Sequence, residues 1–502
     1  MIRFDCVTKR FISGFQALDE VSFEIMASEM VFLTGHSGAG KSTLVKCVAG
    51  FQQAEQGSIM IDGREQAIDN PVVARALGVG MVYQHFTLAP GMTVAENLLL
   101  AGGKTPALIH WKRKRAELAE FLAGTPFRLD LNARPSELAA GEKQKLELLK
   151  QLYLRPRLLI LDEPTAVLTP QETEQLFGVL MLLRSQGTTI VLITHKLKEV
   201  MRLCDDVTVM RGGRVVARVA IADTSADQLA EAMVGRKVAI GRAVGAAQVP
   251  GDVKLQASNI SLKDAQGVLR LSGIDLQLRA GEIVGIAGVS GNGQSELLEV
   301  LSGLRRPTSG QLSVATRTFG PDTWLHPTLA RELKIAHVPE DRHARAMVMD
   351  FDAWESAVLG YEALPCYSRW GWMLGGRMRA ATRKMMEQFD VRPRNAQLQS
   401  SKFSGGNQQK LVLARELGQA PHVLLVGQPT RGVDIGAIEF IYSQLRALRA
   451  QGCAVLVLSS ELDEILALSD RVVVMCQGRI TGELPIDACS ENRLGVLMTG
   501  GA

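Results

Sequence analysis

The chain has 502 residues, too many for one core and suited to two or more domains. Charged residues make up 22% and hydrophobic ones 46%, an ordinary globular balance, and the net charge of +4 has no dense Lys/Arg run behind it, which excludes a nucleic-acid stripe. Seven cysteines stand singly with no C-x-x-C pair, so neither a zinc ribbon nor a disulfide framework is indicated, and free thiols fit a reducing compartment.

The N-terminal "MIRFDCVTKRF" lacks the apolar core of a signal peptide, and the apolar runs fall far short of the ~20 residues that span a bilayer. The expectation is a chain that does not cross a membrane by itself. "EMVFLTG" then reads as a buried strand and "KSTLVKCVAG" as the opening of a helix. Between them "GHSGAGKST" fits the phosphate-loop pattern G-x-x-x-x-G-K-[ST]. Gly35, Ser37, Gly38, Ala39 and Gly40 would turn backbone N–H groups toward phosphate oxygens at a helix N-terminus that favours anions. Lys41 would reach the β- and γ-phosphates, Ser42 would ligate Mg²⁺, and Thr43 would help hold the α-phosphate.

Gln84 in "GMVYQHF" is a candidate for touching Mg²⁺ and the attacking water. "WKRKRAEL" at 111–118 reads as a solvated helix face. Pro156 separates the amphipathic "EKQKLELLKQLYL" helix from the next strand, "RLLILDE". That strand ends in two carboxylates: Asp162, placed to hold Mg²⁺ through water, and Glu163, placed to polarise the attacking water. His195, after the apolar run "TTIVLIT", is a candidate γ-phosphate contact. Apolar runs alternating with helical patterns predict an open, parallel α/β sheet with right-handed crossovers.

The chain then repeats itself. "RAVGAAQVPGD" (242–252) is small and unpatterned and reads as a linker between a first domain, 1–241, and a second, 253–502. "IVGIAGVSGNGQSELLEVLSG" repeats the first loop, "KFSGGNQQKLVLAREL" repeats "ELAAGEKQKLELLKQL", and "VLLVGQPTRGVDI" repeats "LLILDEPTAVLTP". The offset is 253 at Gly35 and Gly288 and 265 at Asp162 and Gly427, so the second copy carries extra residues between its first and second motifs.

Loop, Gln84, "LAAGE" and "FSGGN" before helices, the acidic strand end and His195 together resemble the ATP-binding cassette (ABC) family, twice over nearly the whole chain. The resemblance implies two tandem ATPase domains, each a P-loop α/β core with a helical subdomain. It implies ATP and Mg²⁺, and head-to-tail pairing that places each ATP between one loop and the other signature. Phe11 holds the position of an aromatic that stacks on adenine, with Phe15 as a second candidate, and Ser404, Gly405 and Gly406 keep the signature. In the second copy Lys41 is met by Gln294, Asp162 by Gly427, Glu163 by Gln428, His195 by Ser460 and Gln84 by Glu340, while Ala139 replaces the serine of the first signature. Under head-to-tail pairing one composite site stays intact and the other is degraded on both sides. Glu296 adds a carboxylate where phosphate would sit in "GVSGNGQSEL", and this is expected to repel nucleotide.

A fused pair with a degraded second copy resembles the ATPase subunits of bacterial importers for monosaccharides and nucleosides. "GMVYQHFTLAPGMTVAENLLL", "AHVPEDRHARAMVMD" and "QPTRGVDIGAIEFI" look closest to the nucleoside branch. The implied partners are two multi-span permease subunits and, indirectly, an extracytoplasmic binding protein, with no nucleic acid. The implied place is the cytoplasmic face of the inner membrane, held peripherally. The alternatives are a ribose- or galactose-type sugar importer, or a soluble tandem ABC protein acting on ribosomes or DNA. The last would carry two intact sites and a charged linker or zinc-type cysteine pairs.

Overall fold

The apolar runs that read as covered strands lie at the centre of two parallel sheets. The computed structural model describes residues 1–11, 16–35, 39–83, 86–103, 108–138, 140–165, 168, 170–194, 196–235, 249–289, 291–433 and 435–498. It divides into two units, Met1–Val238 and Ala239–Ala502.

In the first unit the strands are β1 (Ile2–Arg10), β2 (Gln16–Ile25), β3 (Met30–Thr34), β4 (Gln56–Ile61), β5 (Arg64–Glu65), β6 (Val79–Val82), β7 (Leu158–Asp162), β8 (Thr189–Ile193), β9 (Asp206–Arg211) and β10 (Arg214–Ala220). Among the described residues one sheet runs β10-β9-β3-β8-β7-β6. β3 pairs in parallel with β8 and β9, β7 with β6 and β8, and β10 closes the edge antiparallel to β9. A second sheet, β2-β1-β4-β5, is antiparallel throughout. The sequence reading, tuned to covered parallel strands, did not foresee it, because β1 and β2 are half-exposed and irregular: their pairing shifts register between Phe4 and Val7. Its inner residues Ile2 and Phe4 pack with Leu44, Val45, Leu158 and Ile160, so this sheet and the helix Lys41–Val48 share one core with the parallel sheet.

The second unit repeats the plan. Its strands are β11 (Val253–Lys263), β12 (Leu269–Arg279), β13 (Ile283–Ala287), β14 (Ser309–Val314), β15 (Arg317–Phe319), β16 (Ile335–Val338), β17 (Ser368–Arg369), β18 (Trp372–Met373), β19 (Val423–Gly427), β20 (Ala454–Leu458), β21 (Arg471–Cys476) and β22 (Arg479–Pro485). The sheet β16-β19-β20-β13-β21-β22 matches that of the first unit strand for strand, and β12-β11-β14-β15 matches its antiparallel partner. The pair β17–β18 lies where the second copy carries its extra residues.

Between β6 and β7 come the helices Val94–Ala101, Trp111–Ala123 and Ala140–Leu154; between β16 and β19 come Gly375–Gln388 and Gly405–Leu417. These form the helical part of each unit. On Trp111–Ala123 Leu118 faces inward, Lys112, Arg113 and Arg115 are exposed, and Lys114 pairs with Glu117 at 2.6 Å, as a solvated face requires. The helix before Pro156 ends at Leu154 because proline has no N–H to continue it.

Leu425, 0% exposed on β19 between β16 and β20, tests the second core. Leu425→Ala is expected to cost about 2–5 kcal/mol in urea denaturation. Leu182→Ala, on an exposed helix face, is expected to cost less than about 0.5 kcal/mol.

Candidate functional site

β3 is buried along its whole length and hands the chain to Gly35. Gly35 and Gly40 have φ of 151° and 100°, conformations that side chains resist. A Cβ on Gly35 would lie 2.1 Å from the Met210 carbonyl oxygen of β9, and one on Gly40 would lie 2.5 Å from the Ala17 carbonyl oxygen of β2. The neighbouring strands thus dictate glycine at both positions. Gly40 precedes the helix Lys41–Val48, whose N-terminal N–H groups point toward the loop. Ala39 is buried, Lys41 and Thr43 are half-buried, and Ser42 is exposed. The Lys41 ammonium donates to the Gly35 carbonyl at 2.5 Å, across the mouth of the loop. Ser37 and Gly38 lie outside the described residues.

Asp162 ends β7 and is brought to the same place. Burial pushes its carboxyl up to about 6, Glu163 adds to the rise, and Lys41 and Lys46 pull the other way. Strand-end acid and loop cation therefore belong to one electrostatic cluster. Glu163 holds a left-handed φ of 53° and donates its N–H to the Ile193 carbonyl at the end of β8, at 2.8 Å. Such backbone in a non-glycine residue costs about 1–3 kcal/mol and persists where surrounding structure enforces it. Gln84 and His195 lie outside the described residues. Phe11 follows β1 with its ring exposed, one residue past the Arg10–Gln16 pair, and Ala17 beside that pair is the residue that closes over Gly40.

Ser404 caps the helix Gly405–Leu417, and its hydroxyl accepts from the Asn407 amide at 2.9 Å. Gly405 lies under Arg342: a Cβ there would meet the guanidinium at 2.6 Å. Gly406 is buried. Ala139, its counterpart region in the first unit, lies outside the described residues.

The second unit repeats two of these backbone turns with different side-chain chemistry. Gly293 has φ 98°, and Gln428 repeats the left-handed turn at φ 49° with its N–H on Leu458 at 2.7 Å. Gln294 is buried and donates to the Val289 carbonyl at 3.0 Å; it folds beneath the loop so closely that a Cβ on Gly288 would touch its amide nitrogen at 2.2 Å. Gln428 accepts from the Ser460 hydroxyl and N–H at 3.1 and 3.2 Å. Burial raises the Glu340 carboxyl above the usual range, Ser295 and Arg431 pull it down, and Glu296 and Glu299 raise it further. A Cβ on Gly427 would lie 2.5 Å from Glu340 Cγ and 3.0 Å from its backbone nitrogen. Glu340 therefore occupies the space that a side chain at 427 would need.

One cluster escaped the sequence reading. Glu147, 1% exposed, accepts from the Thr87 N–H and from its hydroxyl at 2.9 and 3.1 Å, and Lys150 bonds to Glu147 at 2.9 Å. It ties the segment just past position 84 to the helix Ala140–Leu154. A glutamate within the buried stripe Leu146, Leu148, Leu149 was the available signal.

The ABC transporter family model matches residues 18–166 and 271–431. The chain is 40% identical to the nucleoside import ATP-binding protein NupA of Lactococcus lactis subsp. cremoris (strain MG1363), across 99% of this chain and 97% of that one. It is 40% identical to the guanosine import ATP-binding protein NupO of Bacillus subtilis (strain 168), across 98% and 96%. It is 39% identical to the glucose import ATP-binding protein TsgD13 of Haloferax volcanii, across 100% and 96%. The chain belongs to the ABC transporter family, with two tandem cassettes, and it is an ATPase.

Because the folded Asp162 carboxyl titrates at about 6 against 3.8 unperturbed, its favourable protonated state is fully present below 3.8 and is lost as pH rises through 6. Asp162→Asn, which stays neutral, is expected to be more stable than the native chain by about 1–3 kcal/mol at neutral pH. The gap should close below about pH 4 in denaturant titrations.

Proposed function

We propose that the cargo is a nucleoside and that hydrolysis runs at one site, built on the loop of the first unit. At the coarser level, the chain is the ATP-hydrolysing subunit of an importer for nucleosides or related simple sugars. The observation that carries the one-site reading is the contrast between the loops. In the first, a cation and an acid share the site: Lys41 bonds to the Gly35 carbonyl and its charge lowers the half-buried Asp162 carboxyl. In the second, neutral Gln294 and Gln428 are bonded to Val289 and Ser460 of their own unit, with no cation at either position.

The backbone of Gly35–Gly40, with Ser37, Gly38 and Ala39, cradles the phosphates, and the glycine-only backbone at 35 and 40 supports that fit. Lys41 neutralises β- and γ-oxygens, Thr43 reaches the α-phosphate, and Phe11 stacks on adenine. Ser42, Gln84 and, through water, Asp162 hold Mg²⁺; a half-buried acid whose protonation burial favours suits a place where a cation restores its charge. When bound, that ion neutralises charge developing on the phosphates. Glu163 polarises the attacking water and His195 contacts the γ-phosphate. Ser404, Gly405 and Gly406 complete the site from the other half, in a head-to-tail pair of domains 1–241 and 253–502 joined by 242–252.

Among the described residues no helix is long and apolar enough to cross a membrane. Import then needs two separate multi-span permease subunits, with the chain held on the cytoplasmic face of the inner membrane and cargo delivered by an extracytoplasmic binding protein. A cavity of about 380 Å³ beside the Glu340 loop, lined by Arg331, His337, Pro339 and Arg345, supports docking of a permease segment there. Nucleic acid has no role in this reading. Two of the three relatives above carry nucleoside names and one a sugar name, which supports nucleosides. Uptake of labelled guanosine, adenosine, ribose and glucose by cells with and without the chain separates the cargo classes, and sugar uptake alone overturns the proposal.

Glu163→Gln is expected to keep ATP affinity and lose turnover by about 10²-fold or more in steady-state assays. Turnover within threefold of native would remove Glu163 from its role. With the permease present, Lys41→Ala and Ser404→Ala are each expected to lower turnover by about 10²–10³-fold. Gln294→Ala and Ala139→Ser should change it less than about threefold. Gln294→Lys should create no second site, since Gly427 and Gln428 still lack the acid and the base.

A further inference from the structure

Among the described residues the hairpin β17–β18 has no counterpart in the first unit. Its two-residue turn, Trp370–Gly371, has φ of 51° and 80°, the mirror-image turn that favours Asn-Gly or Gly-Gly. A tryptophan in left-handed backbone is a costly choice that this turn does not require. Trp370 is 88% exposed, Trp372 79% and Met373 65%, so neither indole serves packing. The exposure is not fraying. Leu374 donates to the Tyr367 carbonyl at 2.7 Å, and Tyr367 is buried with Val358, Tyr361 and Met378 in a core of its own.

The surroundings are cationic. Arg369 lies 5.1 Å from the Trp370 ring centroid. The helix Gly375–Gln388, which follows at once, carries four cationic residues and one carboxylate, with Arg377 and Arg383 exposed. Exposed indoles at a hairpin tip flanked by exposed arginines match the polar–apolar boundary of a lipid surface, with rings at headgroup depth and cations against phosphates.

We infer that the hairpin Ser368–Met373 is a membrane-contact element, whose tryptophans enter the headgroup layer of an anionic bilayer while Arg369, Arg377 and Arg383 pair with lipid phosphates. It gives the second unit a hold on the membrane that is independent of any permease.

The test is sedimentation of the full chain with vesicles of equal parts phosphatidylglycerol and phosphatidylcholine, against pure phosphatidylcholine. The native chain should bind the anionic vesicles at least about tenfold more tightly, with a blue shift of tryptophan emission. The double variant Trp370→Ser/Trp372→Ser should lose about tenfold or more of that affinity and lose the shift, with ATP hydrolysis within twofold of native. Leu108→Ser, another exposed apolar position, should bind as native does. Equal binding of native chain and double variant, or no preference for anionic vesicles, overturns the inference. If the double variant instead fails to assemble with the membrane subunits while vesicle binding is unchanged, the tip is a protein contact and the lipid assignment is wrong. Either failure leaves the import reading standing, since that rests on turnover and uptake.

Discussion

Everything at the loop end of the first unit depends on one constraint: the neighbouring strands leave no room for a side chain at Gly35 or Gly40. β3 brings the chain to the edge of the sheet between β8 and β9, and the carbonyls of Met210 and Ala17 press on Gly35 and Gly40 from either side. Gly40 then opens directly into the helix Lys41–Val48, whose head carries N–H groups with no partner inside the helix's own ladder. The antiparallel sheet, absent from the sequence reading, is what supplies Ala17 and so one wall of that turn. The register of β1–β2 is therefore part of the loop as much as of the fold.

The second unit shows that this backbone survives without its chemistry. Gly293 and Gln428 keep the left-handed turns of Gly40 and Glu163, and the sheet order is the same. What differs is where the polar groups find partners. Lys41 bonds to the Gly35 carbonyl and its charge also lowers the half-buried Asp162 carboxyl, whereas Gln294 turns to the Val289 carbonyl and Gln428 to Ser460. Buried polar groups must be satisfied somewhere. The first loop does so with a cation beside an acid, the second with neutral amides.

Much of this was legible in the sequence because covered parallel strands leave continuous apolar runs and because glycine spacing carries a steric meaning. "RLLILDE" and "TTIVLIT" became β7 and β8, and the helix before Pro156 stopped where proline demands. What was not legible depended on distant contacts. The antiparallel sheet has irregular registers and half-exposed strands, so its alternation is blurred. Glu147 reads as one more charge in "KLELLKQL" until Thr87, 60 positions away, is seen on it. The exchange of Gln84 for Glu340 was visible as letters. That its Cγ and backbone nitrogen fill the space beside Gly427 required coordinates.

That last contact bears on how such a duplicate can change with time. The crowding at 427 comes from the Cγ and the backbone nitrogen of residue 340, atoms that a glutamine there would also carry. Returning 340 to glutamine therefore makes no room for an aspartate at 427; the segment that carries residue 340 has to shift as well. Restoring an acid at this strand end is a change of backbone path as much as a change of letter.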